Sequence, residues 1–208
     1  MSHFNFGRLE RLLSTAHRSE RFGSDHLEDA IRPHGVEIET GMLLYALVRR
    51  VKPKIVVETG TDRGYGAAWL ASALADNFDS IPDLGRGKLY TVDNDRHADE
   101  CFDLWKSLGL EHYIERVIAD SRTWQAPSLV DLLFIDSDHT FRSVMEEWRN
   151  YRPKLNRQGS YVVLHDTKIY LELKQAAREI VQREATLIRA IEFFSMRGLT
   201  VLNFGGCL

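Results

Sequence analysis

Two short runs carry the strongest chemical potential, Asp136-Ser137-Asp138-His139 and His165-Asp166-Thr167. Each closes an apolar stretch, Leu129 to Ile135 for the first and Ser160 to His165 for the second. If those stretches are neighbouring strands, Asp136 and Asp166 come together. Two carboxylates at close range repel each other, and a bound cation relieves the repulsion. Hard oxygen donors of this kind suit Mg²⁺ or Ca²⁺. His165 and Thr167 flank Asp166, and both stay open as a third ligand. A histidine ligand would widen the choice to Mn²⁺ or another transition metal. His139 offers a different chemistry, because an imidazole can take a proton near neutral pH. Plainer readings compete. His139 could cap a helix starting at Phe141, and Asp166 could cap one starting near Tyr170.

A second group lies earlier in the chain. Glu58-Thr59-Gly60-Thr61-Asp62-Arg63-Gly64-Tyr65-Gly66 follows the β-branched run Lys54 to Glu58. Gly60 and Gly64 permit a sharp turn and close approach of a ligand to the backbone. A helix beginning there presents unpaired N–H groups suited to a carboxylate. Asp93 ends the run Leu89-Tyr90-Thr91-Val92-Asp93, where an acid can accept from two ribose hydroxyls; its plainer role is a helix cap. Asp120-Ser121 follows a third run and is placed to meet an adenine edge. Trp124, just beyond, either stacks on that adenine or packs.

These groups need elements to position them. Apolar spacing predicts helices at Phe6 to Phe22, Glu37 to Val51, Gly64 to Phe78, His97 to Leu108, Phe141 to Leu155 and Tyr170 to Glu184. Short apolar strands alternate with them, at Lys54 to Glu58, Lys88 to Val92, Ile114 to Ala119, Leu129 to Ile135 and Ser160 to His165. Such alternation predicts an α/β fold, a doubly wound, mainly parallel sheet covered on both faces. Two final runs, Ala190 to Met196 and Leu199 to Phe204, are joined at Arg197-Gly198. That connection is too short for a parallel crossover, so they are antiparallel, and a seven-stranded sheet results. Ligands in such sheets bind beyond the carboxyl ends of the strands. Every acid named above falls there.

Composition sets the class. The chain has 208 residues, 44% hydrophobic and 27% charged, which fits one globular domain. Residues 1–50 read as a helical cap on it. A net charge of −3 with dispersed basic residues gives no nucleic-acid surface. No run approaches the length of about 18 apolar residues that spans a bilayer. The N-terminus lacks a long apolar region typical of a secretory signal. Two cysteines without a C-x-x-C pair suit a reducing, cytoplasmic setting.

The segment VVETGTDRGYGAAWLA resembles the first motif of class I S-adenosylmethionine (SAM) dependent methyltransferases. VDLLFIDSDHTFRSVMEEW, followed by GSYVVLHDT, resembles the later motifs of one subgroup. That subgroup contains catechol O-methyltransferase-like enzymes and relatives acting on sugars, macrolides and cephalosporins. The likeness covers roughly Val36 to the C-terminus. It implies a Rossmann-like methyltransferase fold and methyl transfer from SAM to a hydroxyl of a sugar, natural product or phenol. It also implies Glu58, Gly60, Thr61, Gly64 and Tyr65 around the methionine portion, Asp93 at the ribose, and Asp120 and Ser121 at the adenine. Gly41 would lie over the cofactor. Asp136 would serve cofactor, acceptor and metal together, with Asp166 as a second ligand and the third open between His165 and Thr167. His139 matches the position of the basic residue that takes the acceptor's proton. Gly66 stands where the family often has a serine, which leaves only a backbone N–H for the methionine carboxylate.

NAD binding is the natural rival. It expects G-x-G-x-x-G directly after the first strand, whereas this chain has G-x-x-x-G-x-G preceded by an acid. Glu58 would repel a pyrophosphate and attract a sulfonium. A non-catalytic cofactor-binding protein on the same fold is the other alternative. The acceptor and the oligomeric state, a homo-oligomer included, are not legible.

Overall fold

The computed structural model describes residues 6–21, 36–94, 100–186, 188–193 and 197–205. Its elements in chain order are α1 (Phe6–Arg21), α2 (Ile38–Val51), β1 (Ile55–Thr59), α3 (Tyr65–Ser80), β2 (Lys88–Asp93), α4 (Glu100–Ser107), β3 (Ile114–Ile118), β4 (Leu132–Ile135), α5 (Phe141–Tyr151), β5 (Ser160–His165), α6 (Leu171–Arg183), β6 (Ile188–Phe193) and β7 (Leu199–Phe204). The expected elements are all present, shifted by a few residues. The expected helix start at His97, the helix end at Phe22 and the strand end at Met196 lie outside the described residues.

The seven strands run in the order β3-β2-β1-β4-β5-β7-β6. β1, β4 and β5 are mutually parallel, with Val57 opposite Leu133 and Leu133 opposite Val162. β7 is antiparallel to both neighbours, which places the last strand in sequence inside the sheet and leaves β6 at the edge. The chain winds outward from β1 to β3, then returns to start β4 on the other side of β1. That reversal is the switch point where such sheets bind ligands.

The chain divides into two compact units. One holds residues 53–60, 90–94 and 116–208, and so most of the sheet. Its core is built by alternation. Val57, Leu133, Ile135, Val162, Leu164, Leu202 and Phe204 share one sheet face, and Val144, Trp148 and Tyr151 of α5 pack on it with Leu173, Ala176, Ala177 and Ile180 of α6. The apolar spacing in each helix is what buries one stripe and leaves the rest in water.

The other unit holds α1 to α4 with the connections among them. Residues Gly66 to Asn77 of α3 are buried, as an alanine-rich helix permits. A β-carbon on Gly41 in α2 would collide with the Trp69 indole of α3, so glycine lets the two helices approach closely. Tyr45 Oη donates to Asp76 Oδ2 at 2.6 Å, and Arg8 pairs with the same carboxylate. Burial and that donation to an anion push the Tyr45 phenol far above its usual range. Among the described residues, no helix is long and apolar enough to cross a membrane.

Candidate active site

The ends of β1 and β4 meet at the switch point. Gly60 N–H donates to Val92 O at 2.9 Å, and Asp136 N–H donates to Thr59 O at 3.0 Å. Gly60 has φ +88, and any β-carbon there would strike the Asp136 carbonyl. Glycine is therefore required by both the turn and the approach of the two strand ends.

Glu58 precedes this turn and is 1% exposed. Thr91 Oγ1 donates to its Oε2 at 2.6 Å. Burial pushes the Glu58 carboxyl well above its usual value, and the neighbouring acids Asp136 and Asp93 push it further, against the hydroxyl of Thr91. Three acids thus converge on the ends of β1, β2 and β4. A cationic ligand beside them would lower the cost of their ionisation.

The ribose and adenine candidates separate in behaviour. Asp93 is half-buried at the end of β2. Asp120 faces solvent and takes Arg122 in a two-pronged pair at 2.9 and 2.7 Å, which holds its carboxyl below the usual range. Ser121 donates its hydroxyl to Glu147, a buried acid of α5 that also accepts from Ser137 at 2.7 Å. Burial raises the Glu147 carboxyl, although the hydroxyls of Ser121, Ser137 and Thr59 oppose this. Trp124 packs against Tyr90 with ring centroids 5.6 Å apart. In the other unit, Thr61 is buried and its carbonyl accepts Gly64 N–H at 2.7 Å. Gly64 caps α3 in a left-handed conformation, its carbonyl accepts from Trp105 Nε1 at 2.9 Å, and Tyr65 opens the helix. Gly41 is accounted for by its packing on Trp69.

At the ends of β4 and β5 the expected residues do meet. His139 Nε2 lies 2.9 Å from Asp166 Oδ2 and 4.0 Å from Asp136 Oδ1. His165 Nδ1 lies 2.8 Å from Asp136 Oδ1 and 3.4 Å from Asp166 Oδ1. Both plainer readings fail here. Thr140 caps α5, its side chain accepting from Ser143 N–H at 3.2 Å, which leaves His139 out of the cap. Helix α6 starts without a side-chain cap, and Asp166 turns its carboxylate elsewhere. The His139 ring stacks on Tyr170, with centroids 4.3 Å apart and planes 12° from parallel.

Sequence reasoning missed one partner at this edge. Arg197, in the turn between β6 and β7, places Nε 2.7 Å from Asp166 Oδ1 and Nη2 2.8 Å from Oδ2. Burial alone would raise the Asp166 carboxyl, but contacts with His139, His165 and Arg197 outweigh it and hold the group below its usual value. Glu147 was missed as well. Its signal was an acid in the middle of the apolar stripe Val144, Trp148, Tyr151.

Residues 57–167, more than half of the chain, match the family described as methyltransferase domain. The chain belongs to that methyltransferase family. Its sheet order and antiparallel β7 accord with the fold of solved methyltransferases. The methyltransferase is similar to the O-methyltransferase TomG from Streptomyces achromogenes, solved with SAM, at 21% identity and a TM-score of 0.69, covering 94% of this chain and 90% of that one. An O-methyltransferase from Bacillus cereus, solved with S-adenosylhomocysteine (SAH), gives 18% identity and a TM-score of 0.68 over 95% and 90% of the two chains. A caffeoyl-CoA O-methyltransferase of Stellaria longipes is 34% identical over 134 residues, 56% of this chain. The match spans about half of that relative's length, 52%.

Proposed function

We propose that this methyltransferase transfers a methyl group from SAM to a hydroxyl of a small molecule. The observation that carries the reading is the pairing of His139 with Asp166, beside Asp136, at the carboxyl ends of adjacent central strands. When bound, SAM supplies an electrophilic methyl on a positively charged sulfur. The buried Glu58 and the half-buried Asp93 and Asp136 suit such a ligand, because a cation beside them offsets the burial of Glu58 and their mutual repulsion. Anionic pyrophosphate would meet acids of its own sign, which counts against an NAD enzyme. In this reading, residues 1–208 form one methyltransferase domain with 1–50 as its cap. Cysteine usage supports a cytoplasmic setting.

The residues divide the work. His139 Nε2 lies 2.9 Å from Asp166 Oδ2, and in this reading it carries the ring proton towards that carboxylate and leaves Nδ1 as the acceptor. The acceptor's O–H proton passes to that nitrogen while the oxygen bonds to the methyl carbon and the carbon–sulfur bond breaks. Asp166 then stabilises the imidazolium. Alignment of oxygen, carbon and sulfur supplies much of the acceleration.

A divalent ion was the expectation for Asp136, His165 and Asp166. Oxygens of Asp136 and Asp166 and a nitrogen of His139 do lie within 4.8 Å of one another. However, Asp166 has a guanidinium nitrogen at each oxygen, His165 Nδ1 sits on Asp136, and Thr167 Oγ1 accepts from Thr200 at 3.0 Å. An ion here would compete with the Arg197 guanidinium for Asp166, and no step is assigned to one.

Thermal shift tests the cofactor reading. Saturating SAH should raise the melting temperature by mass action, and Asp93→Ala should shrink that rise. A rise with NADH and none with SAH would sink the proposal.

A further inference from the structure

We infer that Arg197 is the chain's own cation at the two-aspartate edge, standing where a divalent ion would bind, and that it is a positioning residue for His139. The inference rests on the methyltransferase reading for its catalytic consequence. Its geometric basis does not.

Asp166 is 1% exposed and sits at φ +61, a left-handed conformation that costs a non-glycine residue about 1 kcal/mol or more. A buried, strained carboxylate persists only where its surroundings compensate. The surroundings here are a guanidinium in side-on, two-pronged contact. Nη2 donates to Oδ2 and Nε lies at ion-pair distance from Oδ1, an arrangement that suits a planar carboxylate.

The turn bearing Arg197 is itself fixed. Lys168 N–H donates to Arg197 O at 3.0 Å, Ile169 N–H to the same oxygen at 3.3 Å, and Thr167 N–H to Gly198 O at 3.3 Å. Gly198 has φ +89, and a β-carbon there would collide with Lys168. Arg197 and Gly198 therefore lie directly on the segment following Asp166, and glycine is what allows it. The guanidinium is delivered by backbone contacts, not by a floating side chain.

The consequence follows link by link. Arg197 holds Asp166, Asp166 faces His139 Nε2 at 2.9 Å, and Tyr170 holds the other ring face. A divalent ion would have to displace a paired arginine that is only 22% exposed. The family match ends at Thr167, before this residue, so membership alone says nothing of it.

Mn²⁺ is the probe, read by electron paramagnetic resonance and by thermal shift on the full chain. The unaltered protein should leave the free Mn²⁺ signal in place, gain no melting temperature from Mn²⁺ or Mg²⁺, and lose no turnover in EDTA. Arg197→Gln should lower turnover at least 10-fold and gain Mn²⁺ binding, which Asp166→Asn added to it removes. Arg197→Lys should keep the protein insensitive to Mn²⁺ and recover part of the turnover. SAH should raise the melting temperature of all these forms, so a failed cofactor reading shows separately. Mn²⁺ binding by the unaltered chain that Asp166→Asn abolishes overturns the inference. So does a folded Arg197→Gln that binds no Mn²⁺. If Arg197→Gln does not fold, the unaltered chain and Arg197→Lys decide, and Mn²⁺ dependence of either refutes it.

Discussion

Glu58 and Asp166 are both buried acids at the carboxyl ends of central strands, and their surroundings drive them in opposite directions. Glu58 has a hydroxyl from Thr91 and two acids nearby, and its carboxyl is pushed up. Asp166 has Arg197, His139 and His165, and its carboxyl is held down. The β1–β2 side is thus a place where a positive ligand improves the electrostatics. The β5 side is already neutralised by the protein. Position in the fold makes both residues candidates for function, but the partners decide which one awaits a ligand and which one orients a base.

The comparison breaks most visibly at His139. If the β4–β5 edge does chemistry and the β1–β2 edge does binding, His139→Ala should lower turnover about 10²–10⁴-fold, the usual worth of a positioned base. Its stabilisation by SAH should match that of the unaltered protein. The deficit should shrink at high pH, where hydroxide can replace the imidazole. A variant with full turnover would remove the base, and one that loses SAH binding would join the two edges into one site.

Glu58→Gln sharpens the other side. Folding takes up a proton at Glu58 between the ordinary carboxylate value and its raised one, so stability falls as pH rises through that window. Removing the charge should erase this slope and raise the melting temperature of the ligand-free protein by a few degrees at neutral pH. The same variant should weaken SAH binding about 10-fold or more. Melting curves across pH, with and without SAH, separate the effects. A Glu58→Gln protein that is less stable at neutral pH and binds SAH normally would mean that the acid serves the fold alone.

Much of this contrast was open to reading from the chain. The strand ends, the acids and His139 follow from period-two and period-3.6 patterns that local sequence carries directly. The partners of those acids do not. Arg197 reaches Asp166 across 31 positions through a hairpin docked on another loop, and no local pattern encodes that. Gly41, which the resemblance places over the cofactor, packs against Trp69, a contact that no local pattern announces. Asp120 reads as an adenine contact, and its pairing with Arg122, two residues on, was not foreseen. Pairings between side chains depend on tertiary geometry, whereas elements depend mostly on pattern. Glu147 lies between these cases, legible as an anomaly but not as the clamp on Ser121 and Ser137.

Glu147→Ala measures that clamp. The acid is fully buried, and its loss removes the acceptor of the half-buried Ser121 and Ser137 hydroxyls. Leaving buried polar groups unpaired costs about 1–3 kcal/mol. Chemical denaturation should show a drop of that order with an unchanged slope. Glu147→Gln should cost less, because its carbonyl still accepts one hydroxyl. Equal stability of the two variants would show that packing, not hydrogen bonding, is what Glu147 provides.

The smallest effect discriminates best between cap and catalyst. Thr140 accepts from Ser143 N–H and satisfies one of the open donors at the start of α5. Thr140→Ala should therefore cost about 1 kcal/mol, or roughly 2–4 °C in melting temperature for a chain of this size. Phe141 N–H keeps its own acceptor, Glu172 Oε2 at 2.7 Å, so the helix start should loosen and not melt. His139→Ala should leave stability nearly unchanged, since that side chain caps nothing and its loss spares the Asp166–Arg197 pair. The two neighbouring substitutions are thus expected to trade places, one lowering stability with modest change in turnover, the other lowering turnover with little change in stability. Equilibrium denaturation and turnover measured on both variants supply the check. If His139→Ala costs as much stability as Thr140→Ala, the imidazole is holding the loop, and the base must be sought elsewhere on this edge. His165 is then the next candidate, because its Nδ1 already lies 2.8 Å from Asp136.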